Sequence, residues 1–395
     1  MSVPALITIG ERVEPVASWI PERDQPDGVF TYIDLSAIDQ NAKIITGARR
    51  LPCATAPSRA RQIVRAGDIL VSTVRPNLNG VALVPPEFDG ATASTGFCVL
   101  RPVKDSLDPR YLFQWVKSPP FVGEMVRRAT GASYPAVSDR IVCQSKLPLP
   151  PMLEQQRIAD ILDSADALYT KRSVALKRLD ELTQSIFCEM FGDPATNPKG
   201  WPLADFASVI FFQEGPGVRN WQFRSEGIKL INVRNIVNGE LDTSNSNRYL
   251  SPIEVAQKYQ HFLLDEGDLV VASSGVTWGK VAEVSAAHLP LCLNTSMIRL
   301  RPRGRNIEKG FIRTFIESFA FRKQIHRLIT GSAQPNFGPA HLEQVKIPLP
   351  TVDLQREYVE RVARIEKLRG VQGRSLVNLD TLIRSLRHDA FRGEL

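Results

Sequence analysis

The chain has 395 residues, 43% of them hydrophobic, and a formal net charge of +7. This length predicts two or three domains with hydrophobic cores, and the charge is compatible with a nucleic-acid partner, although a solvated mixed surface explains it equally well. No apolar run is long enough for a membrane-spanning helix, the first residues do not form a signal peptide, and the dispersed cysteines predict a cytoplasmic protein without structural zinc.

The first globular block, residues 1–152, is predicted to consist mostly of strands. "GDILVSTV" begins at Gly67 and places a turn before a β-branched run, which is typical of a strand. A helical pattern over 109–128 is broken or restarted by the prolines at 119–120. The segment 148–150, Pro-Leu-Pro, is predicted to be extended, because proline disfavours the α region for the preceding residue.

A helix is predicted over 153–192, and a second globular block over 193–352 precedes another helix over 353–395. Apolar residues recur in both helices at steps of three and four, the pattern of a coiled-coil seam, so we expect the helices to pair with each other. The residues predicted to mediate pairing are Ile158, Ile161, Leu168, Leu179, Leu182, Ile186, Ile365, Leu368, Leu379, Leu382 and Leu386.

The second half of the chain repeats the first at a constant spacing. "GDLVVASS" begins at Gly267, "LRP" occurs at 100–102 and 300–302, and "TGASYP" at Thr130 is matched by "TGSAQP" at Thr330. The spacing is far too long for a solenoid, so the fold class is α+β, one globular unit and its helix built twice. Two modules with the same task on different targets would show this pattern; a duplication with only structural meaning is the alternative.

No catalytic constellation is evident. The sequence has no GxxxxGK[ST] loop, no GxSxG and no HExxH, and we predict neither a catalytic nor a metal site. "SPPF" at 118–121 fits a short amino-methyltransferase motif, but the second copy reads "SFAF" at 318–321, and prolines that interrupt a helix explain the match.

Polar, variable segments remain, and they lie at equivalent places in both copies. Arg, Asn and Gln side chains can read the edges of bases, whereas Lys and Ser position a protein on phosphates; ordinary surface turns are the alternative for each residue taken singly. The predicted DNA-binding residues are Arg59, Arg61, Arg75, Asn77 and Asn79 in the first copy, and Gln213, Arg219, Asn220, Trp221, Ser273, Ser274, Thr277, Trp278 and Lys280 in the second.

Together these motifs resemble the specificity (S) subunits of type I restriction–modification systems. The resemblance rests on the paired "GD[IL][LV]V" strands and on the exits "KLPLPPMLEQQRI" and "KIPLPTVDLQREY", and it covers nearly the whole chain in order. Pro148, Leu149, Pro150, Glu154 and Gln155 match the "PLPPxxEQ" motif. The second copy departs from it, with Thr351 in place of the second proline and Leu354 in place of glutamate.

The resemblance implies two target recognition domains, each reading one half of a bipartite, asymmetric DNA site, and an antiparallel coiled coil that sets the spacer between the halves. It implies a chain without catalytic activity or cofactor of its own. Two methyltransferase (M) subunits would use S-adenosylmethionine, and two restriction (R) subunits would use ATP and Mg²⁺. The alternative function is that of an assembly scaffold for methyltransferase subunits that reads no sequence.

Overall fold

The computed structural model describes residues 4–244, 246–329 and 336–395. The chain forms two compact units, the first comprising Met1–Ala175 and Gln372–Leu395 and the second Leu176–Val371. The boundaries between the units fall inside the two long helices, whereas the sequence analysis divided the chain at the ends of these helices. The repeated segment 330–335 lies outside the described residues.

The first unit is built mainly from two four-stranded sheets, with strand orders β6-β3-β10-β7 and β2-β11-β8-β9. Its strands are β1 (Ala5–Thr8), β2 (Val13–Glu14), β3 (Val29–Ile33), β4 (Ile38–Asp39), β5 (Ile44–Ile45), β6 (Arg49–Pro52), β7 (Ala60–Ile63), β8 (Ile69–Ser72), β9 (Val81–Leu83), β10 (Thr92–Ser94), β11 (Phe97–Pro102) and β12 (Lys146–Leu149). The predicted extended exit is therefore a strand, and β12 pairs antiparallel with β1.

The helices of the first block are α1 (Pro21–Asp24), α2 (Pro109–Val116), α3 (Pro119–Arg128) and α4 (Asp139–Gln144), followed by the long helix α5 (Met152–Phe191). The helical pattern over 109–128 is thus two helices, because Pro119 occupies the first turn of α3, where a missing N–H costs nothing. Ser118 precedes that turn and Phe121 is buried in the core. A helix start therefore accounts for the "SPPF" segment.

The second unit repeats the sheet β2-β11-β8-β9 as β14-β22-β19-β20. Its strands are β13 (Leu203–Asp205), β14 (Ile210–Glu214), β15 (Ile228–Ile231), β16 (Ile236–Val237), β17 (Glu240–Leu241), β18 (Tyr249–Leu250), β19 (Leu269–Ala272), β20 (Val281–Glu283), β21 (Leu291–Leu293), β22 (Met297–Pro302) and β23 (Lys346–Pro348). Its helices are α6 (Phe206–Val209), α7 (Pro252–Glu254), α8 (Lys309–Glu317), α9 (Phe319–Leu328) and α10 (Pro339–Leu342), and the chain ends with the long helix α11 (Val352–Arg392).

The repeated Gly-Asp and Leu-Arg-Pro segments form a buried ion pair in each unit. Gly67 has a φ of 88°, a left-handed conformation that glycine adopts without strain. The next residue, Asp68, is 1% exposed, and its carboxylate accepts two hydrogen bonds from Arg101 at 2.9 and 2.7 Å. Asp268 and Arg301 make the equivalent pair in the second unit. A buried carboxylate needs such a partner, which explains why both segments recur.

The glutamine of the "PLPPxxEQ" motif, which recurs in both copies, is also a structural residue. Gln155 is 1% exposed; its Oε1 accepts from the Asp108 N–H at 2.9 Å and its Nε2 donates to the Pro150 carbonyl at 2.9 Å. Gln355 makes the same two bonds in the second unit, with the Glu308 N–H at 2.9 Å and the Pro350 carbonyl at 2.8 Å. Each glutamine thus ties the start of a long helix to the loop before α2 or α8.

The long helices run antiparallel within each unit. In the first unit Asp166 pairs with Arg387 at 2.6 Å, and Arg172 donates to the Ser375 hydroxyl at 2.7 Å. Residue numbers therefore rise along α5 while those of the α11 partners fall. In the second unit Asp180 of α5 pairs with Arg369 of α11 at 3.1 Å. The predicted antiparallel pairing is confirmed in each unit.

The seam between the helices differs in part from the predicted one. Leu379 and Ile365 are buried, and Ile383, which the periodicity had not singled out, is 4% exposed. Ile158 is buried among residues of the first recognition block, whereas Ile161, Leu179, Ile186 and Leu386 are half-buried. Four of the predicted leucines are partly exposed, with exposed fractions of 43% for Leu168, 43% for Leu182, 55% for Leu368 and 52% for Leu382.

The exposure of these leucines depends on the register of the two long helices. Asp166 and Arg172 contact α11 through polar side chains, whereas Leu168, between them, is 43% exposed. Arg172 occupies a seam position because Gln372 and Ser375 accept hydrogen bonds from its guanidinium group. Hydrophobic periodicity alone does not distinguish the row that faces the partner from the row next to it.

Candidate nucleic-acid interface

In the first unit, backbone hydrogen bonds bring three loops together at one end of β8. The loop 73–80 follows β8, and the Thr73 N–H donates to the Gly96 carbonyl at 2.9 Å. On its other side the Val137 N–H donates to the Thr73 carbonyl at 2.9 Å. The Arg75 N–H donates to the Pro135 carbonyl at 2.7 Å. The loop is thus held between the turn at 94–96 and the hairpin at 130–136.

These loops expose a group of side chains suited to nucleic acid. Arg75 and Asn77 are exposed on loop 73–80. The Arg75 guanidinium carbon lies 4.9 Å from the centre of the Tyr134 ring, and Tyr134 is 69% exposed. Asn79 is half-buried, and its backbone carbonyl accepts a hydrogen bond from Lys43 Nζ at 2.5 Å.

The two arginines predicted near residue 60 have different surroundings. Arg59 is exposed, and its carbonyl accepts from the Thr95 N–H at 2.8 Å, so it adjoins the same cluster of loops. Arg61 is half-buried and forms an ion pair with Glu22 at 3.1 Å. The charge of Arg61 is therefore balanced within the protein, whereas that of Arg59 faces solvent.

In the second unit, loop 273–280 is framed in the same way. The Ser273 N–H donates to the Ser296 carbonyl at 2.9 Å, and the Phe337 N–H donates to the Ser273 carbonyl at 3.0 Å. The Gly215 N–H donates to the Met297 carbonyl at 3.1 Å, which brings the segment after β14 to the same place. A Cβ at residue 215 would approach the Asn294 carbonyl oxygen to 2.3 Å, so only glycine permits this close approach.

Two predicted DNA-binding residues of this loop are interior residues. Ser273 is 0% exposed and Trp278 is 7% exposed. The Trp278 ring lies 6.0 Å from that of Phe337 and 5.1 Å from that of His326, within the main hydrophobic core of the unit. A DNA contact through Ser273 or Trp278 is inconsistent with this burial, since the large apolar indole gains more from the core than from solvent.

The remaining predicted residues of the second unit lie at or near the surface. Ser274 and Thr277 are half-buried and Lys280 is exposed. Gln213 is half-buried and accepts a hydrogen bond from Arg299, so its amide is engaged inside the unit.

The segment 219–222 presents a second exposed group. Arg219 and Asn220 are exposed, and Trp221 is 70% exposed. Gln222, which follows, is 4% exposed; its Oε1 accepts from the Arg219 N–H at 2.8 Å and its Nε2 donates to the Glu254 carboxylate at 2.6 Å. Gln222 thus fixes the loop from inside while its neighbours face outward.

Three residues of these surfaces are not indicated by the sequence pattern. Tyr134 lies in the segment "TGASYP", which recurs in the second copy and so does not stand out as a variable segment. Val276, at the tip of loop 273–280, is 92% exposed, but a search for polar residues passes over it. Lys43 contacts loop 73–80 from a segment distant in sequence, and nothing in the sequence pattern indicates that contact.

A cluster of charges in the first unit includes Lys43, which bonds to loop 73–80 at the Asn79 carbonyl. Asp166 pairs with Lys117 and with Arg387, each at 2.6 Å. These cations hold the pKa of Asp166 below its usual value despite the opposing effect of burial. Burial, with the positive charges of Lys117 and Arg387, lowers the pKa of Lys43 to about 8. In the second unit burial raises the pKa of Glu317, the residue equivalent to Lys117.

Within the described ranges, no group of three or more His, Cys, Asp or Glu side chains could hold a metal ion. In the same part of the chain no helix is both long and apolar enough to cross a membrane. The arrangement consists of loops with exposed donors and aromatic rings on two similar scaffolds. Such groups suit the binding of a polyanion and the recognition of hydrogen-bonding groups along its edges.

Comparison with known proteins agrees with this description. Residues 60–182 and 222–371 match the family described as "Type I restriction modification DNA specificity domain". The two matched segments make up more than half of the chain and fall one in each copy of the repeat. The chain belongs to this family, which confirms the resemblance stated from the sequence.

Individual relatives are distant. The chain is 25% identical over 277 residues to the "Type I restriction enzyme MjaVIII specificity subunit" of Methanocaldococcus jannaschii, an alignment covering 66% of this chain and 64% of that protein. One solved chain, from a type I R-M system, superposes over 100% of both chains with a TM-score of 0.65 at 24% identity. The type I S subunit of M. genitalium superposes over 98% of this chain and 96% of its own with a TM-score of 0.59 at 14% identity. These likenesses support the fold.

Proposed function

We propose that this chain is the DNA-reading subunit of a type I restriction–modification complex and that each unit reads one half of a bipartite target. The observation that carries the proposal is the equivalence of loops 73–80 and 273–280. Both follow an inner strand of equivalent sheets, β8 and β19, and both are held by equivalent backbone bonds, through Thr73 in one unit and Ser273 in the other. The framework is common, whereas the exposed side chains differ.

The exposed groups have the chemistry that such reading requires. Arginine and asparagine make paired hydrogen bonds with guanine and adenine in the major groove, and lysine neutralises phosphate. Arg75 and Asn77 provide the first kind of contact in one unit, and Arg219, Asn220 and Lys280 provide both kinds in the other. Affinity should fall with salt, because phosphate contacts release counterions.

The exposed leucines of the long helices supply docking surfaces for the methyltransferase (M) subunits. Leu168 and Leu382 both belong to the first unit, and the helix register places them at the same level. Leu182 and Leu368 occupy the equivalent level in the second unit, beside the Asp180–Arg369 pair. Two equivalent apolar patches fit two copies of one partner, and restriction (R) subunits would complete the complex.

Chemistry in the proposed complex belongs to the partners. The M subunits would bind S-adenosylmethionine and methylate adenine, and the R subunits would use ATP and Mg²⁺. This chain would hold no cofactor of its own. Purified alone, it should neither methylate nor cleave DNA, and methyl transfer by the isolated chain would contradict this part of the proposal.

Genome-wide mapping of methylated adenine in cells with and without the chain tests the main proposal. We expect a two-part motif that disappears when the chain is absent. Replacing residues 1–150 with the equivalent block of another family member should change one half of the motif only. A complex that assembles normally but shows no motif would instead support the scaffold function.

The docking surfaces can be tested by counting subunits. Leu168→Glu combined with Leu382→Glu should lower the number of bound M subunits from two to one, measured by native mass spectrometry. Ile253→Glu is the matched control, because Ile253 is 71% exposed on α7 of the second recognition block and belongs to neither long helix. Unchanged stoichiometry in the double variant would place the M subunits elsewhere.

A further inference from the structure

The exposed pair formed by Arg75 and Tyr134 has features that the framework does not require. Tyr134 is 69% exposed, yet its ring lies against the guanidinium group at 4.9 Å. Among the described residues, no carboxylate lies within ion-pair distance of Arg75. The guanidinium group is therefore held by an aromatic face and not by a charge.

The backbone at Arg75 is the second feature. Arg75 has a φ of 51°, the left-handed region, and its N–H is fixed to the Pro135 carbonyl at 2.7 Å. The equivalent residue of the second unit is Gly275, with a φ of 79°. The loop thus takes the same turn in both units, and glycine makes it without strain. The left-handed conformation lowers the stability of the loop when the residue is arginine, which favours a functional role for the Arg75 side chain.

Beyond the contact with Tyr134, the Arg75 guanidinium group makes no hydrogen bond or ion pair with the described residues, so its N–H donors are free. A cation–π contact is electrostatic and does not require the N–H donors to bond with a hydrogen-bond acceptor. Those donors match the O6 and N7 acceptors of guanine in the major groove. A planar group held in one orientation loses less freedom when it binds, so the ring of Tyr134 prepares the arginine for this contact.

We infer that Arg75 reads one guanine in the half-site recognised by the first unit and that Tyr134 is the positioning residue that orients it. This inference rests on the proposed DNA-reading function and deepens it. The second unit has glycine at the equivalent position, and its loop instead presents Val276, which is 92% exposed. The two units therefore read different bases although their loops follow the same path.

The test uses the complete complex with its M subunits and measures the methylation motif. Arg75→Ala should relax the motif at a single guanine of one half-site by about 5- to 160-fold, since a bidentate arginine–guanine contact supplies about 1–3 kcal/mol of discrimination. All positions of the other half-site should remain unchanged. Lys104→Ala is the control, because it removes an exposed cation of the first unit at the end of β11 remote from the turn at 94–96, and it should leave that guanine fully specified.

Tyr134 is tested by two substitutions that separate the ring from the hydroxyl group. Tyr134→Phe should keep the discrimination, whereas Tyr134→Ala should weaken it about two- to five-fold at the same guanine, as expected for an exposed cation–π contact of ~0.5–1 kcal/mol. In Arg75→Ala the further change Tyr134→Ala should have no added effect. An effect of Tyr134→Ala at other positions, or uniform loss of binding, would show that Tyr134 has another role.

A DNA probe with 7-deazaguanine at that position provides an independent measurement. Removal of N7 should weaken binding by the wild-type complex and leave binding by Arg75→Ala unchanged. If the wild-type complex gives no motif that depends on this chain, the proposed function itself is wrong. If a bipartite motif is present but every guanine stays specified in Arg75→Ala, only the assignment of Arg75 is wrong.

Discussion

Replacing Gln155 with alanine should destabilise the first unit, whereas replacing its neighbour Glu154 should not. Gln155 is 1% exposed and bonds to the Asp108 N–H and the Pro150 carbonyl, each at 2.9 Å, and to the Ser106 carbonyl at 3.3 Å. Alanine would leave these backbone groups without partners. At about 1 kcal/mol for each lost bond, the loss is about 3 kcal/mol.

The change should be visible in thermal unfolding of the full chain. A unit of about 200 residues loses about 2–4 °C per kcal/mol, so Gln155→Ala should lower the melting temperature of the first unit by about 6–12 °C. Hydrogen exchange should be faster at the Asp108 amide. Gln355→Ala should have the same effect on the second unit, because Gln355 makes the equivalent bonds.

Glu154→Ala is the matched control. Glu154 pairs with Arg157 at 3.1 Å, both side chains are more than a third exposed, and a helical surface pair of this kind contributes about 0.2–0.5 kcal/mol. The melting temperature should move by less than about 2 °C. Equal small shifts in Glu154→Ala and Gln155→Ala would refute the explanation given for the glutamine of the motif.

Three further outcomes are expected. Trp278→Ala should lower the free energy of unfolding by about 3–5 kcal/mol, because the indole fills the core. Lys280→Ala, on the surface, should change the free energy of unfolding by less than about 0.5 kcal/mol and weaken DNA binding. The reverse order of effects would place Trp278 at the interface. The folded-state pKa of Lys43 is lowered to about 8 from an unfolded value of ~10.4. Between these two pKa values the unfolded chain holds more protons than the folded chain, so the free energy of unfolding should rise with pH in this range. Urea unfolding should show a steeper rise in the wild type than in Lys43→Met. Inserting four residues after Ala175 and four after Ser375 lengthens each long helix by about 6 Å. This length corresponds to about one or two base pairs at ~3.4 Å each. Methylation mapping should therefore show a longer spacer between unchanged half-sites.

Much of the architecture is determined locally and could therefore be predicted. The duplication follows from residue types that recur at one spacing, and each has a local reason. Gly67 and Gly267 adopt left-handed turns, and the prolines at 119–120 start a helix. The long helices were expected at 153–192 and 353–395 and occupy Met152–Phe191 and Val352–Arg392.

The placement of individual side chains depends on contacts between segments distant in the sequence. Val276 and Trp278 are two residues apart on one loop, yet Val276 is exposed and Trp278 is buried, because Phe337 and His326 surround the indole. Tyr134 reaches Arg75 only because backbone bonds join their loops. No property of the loop sequence alone distinguishes these outcomes.

The long helices also combine features that the sequence predicts with features that depend on tertiary contacts. Steps of three and four by themselves predict that each long helix has an apolar side and needs a partner. The register of the helix pair decides which leucines face the partner. Long-range contacts such as Asp166–Arg387 and Arg172–Ser375 accompany this register. That register buries Leu379 and leaves Leu168 exposed. The sequence determined that the helices pair; only the tertiary structure decided which faces meet, because a shift of one residue turns a helical side chain by about 100°.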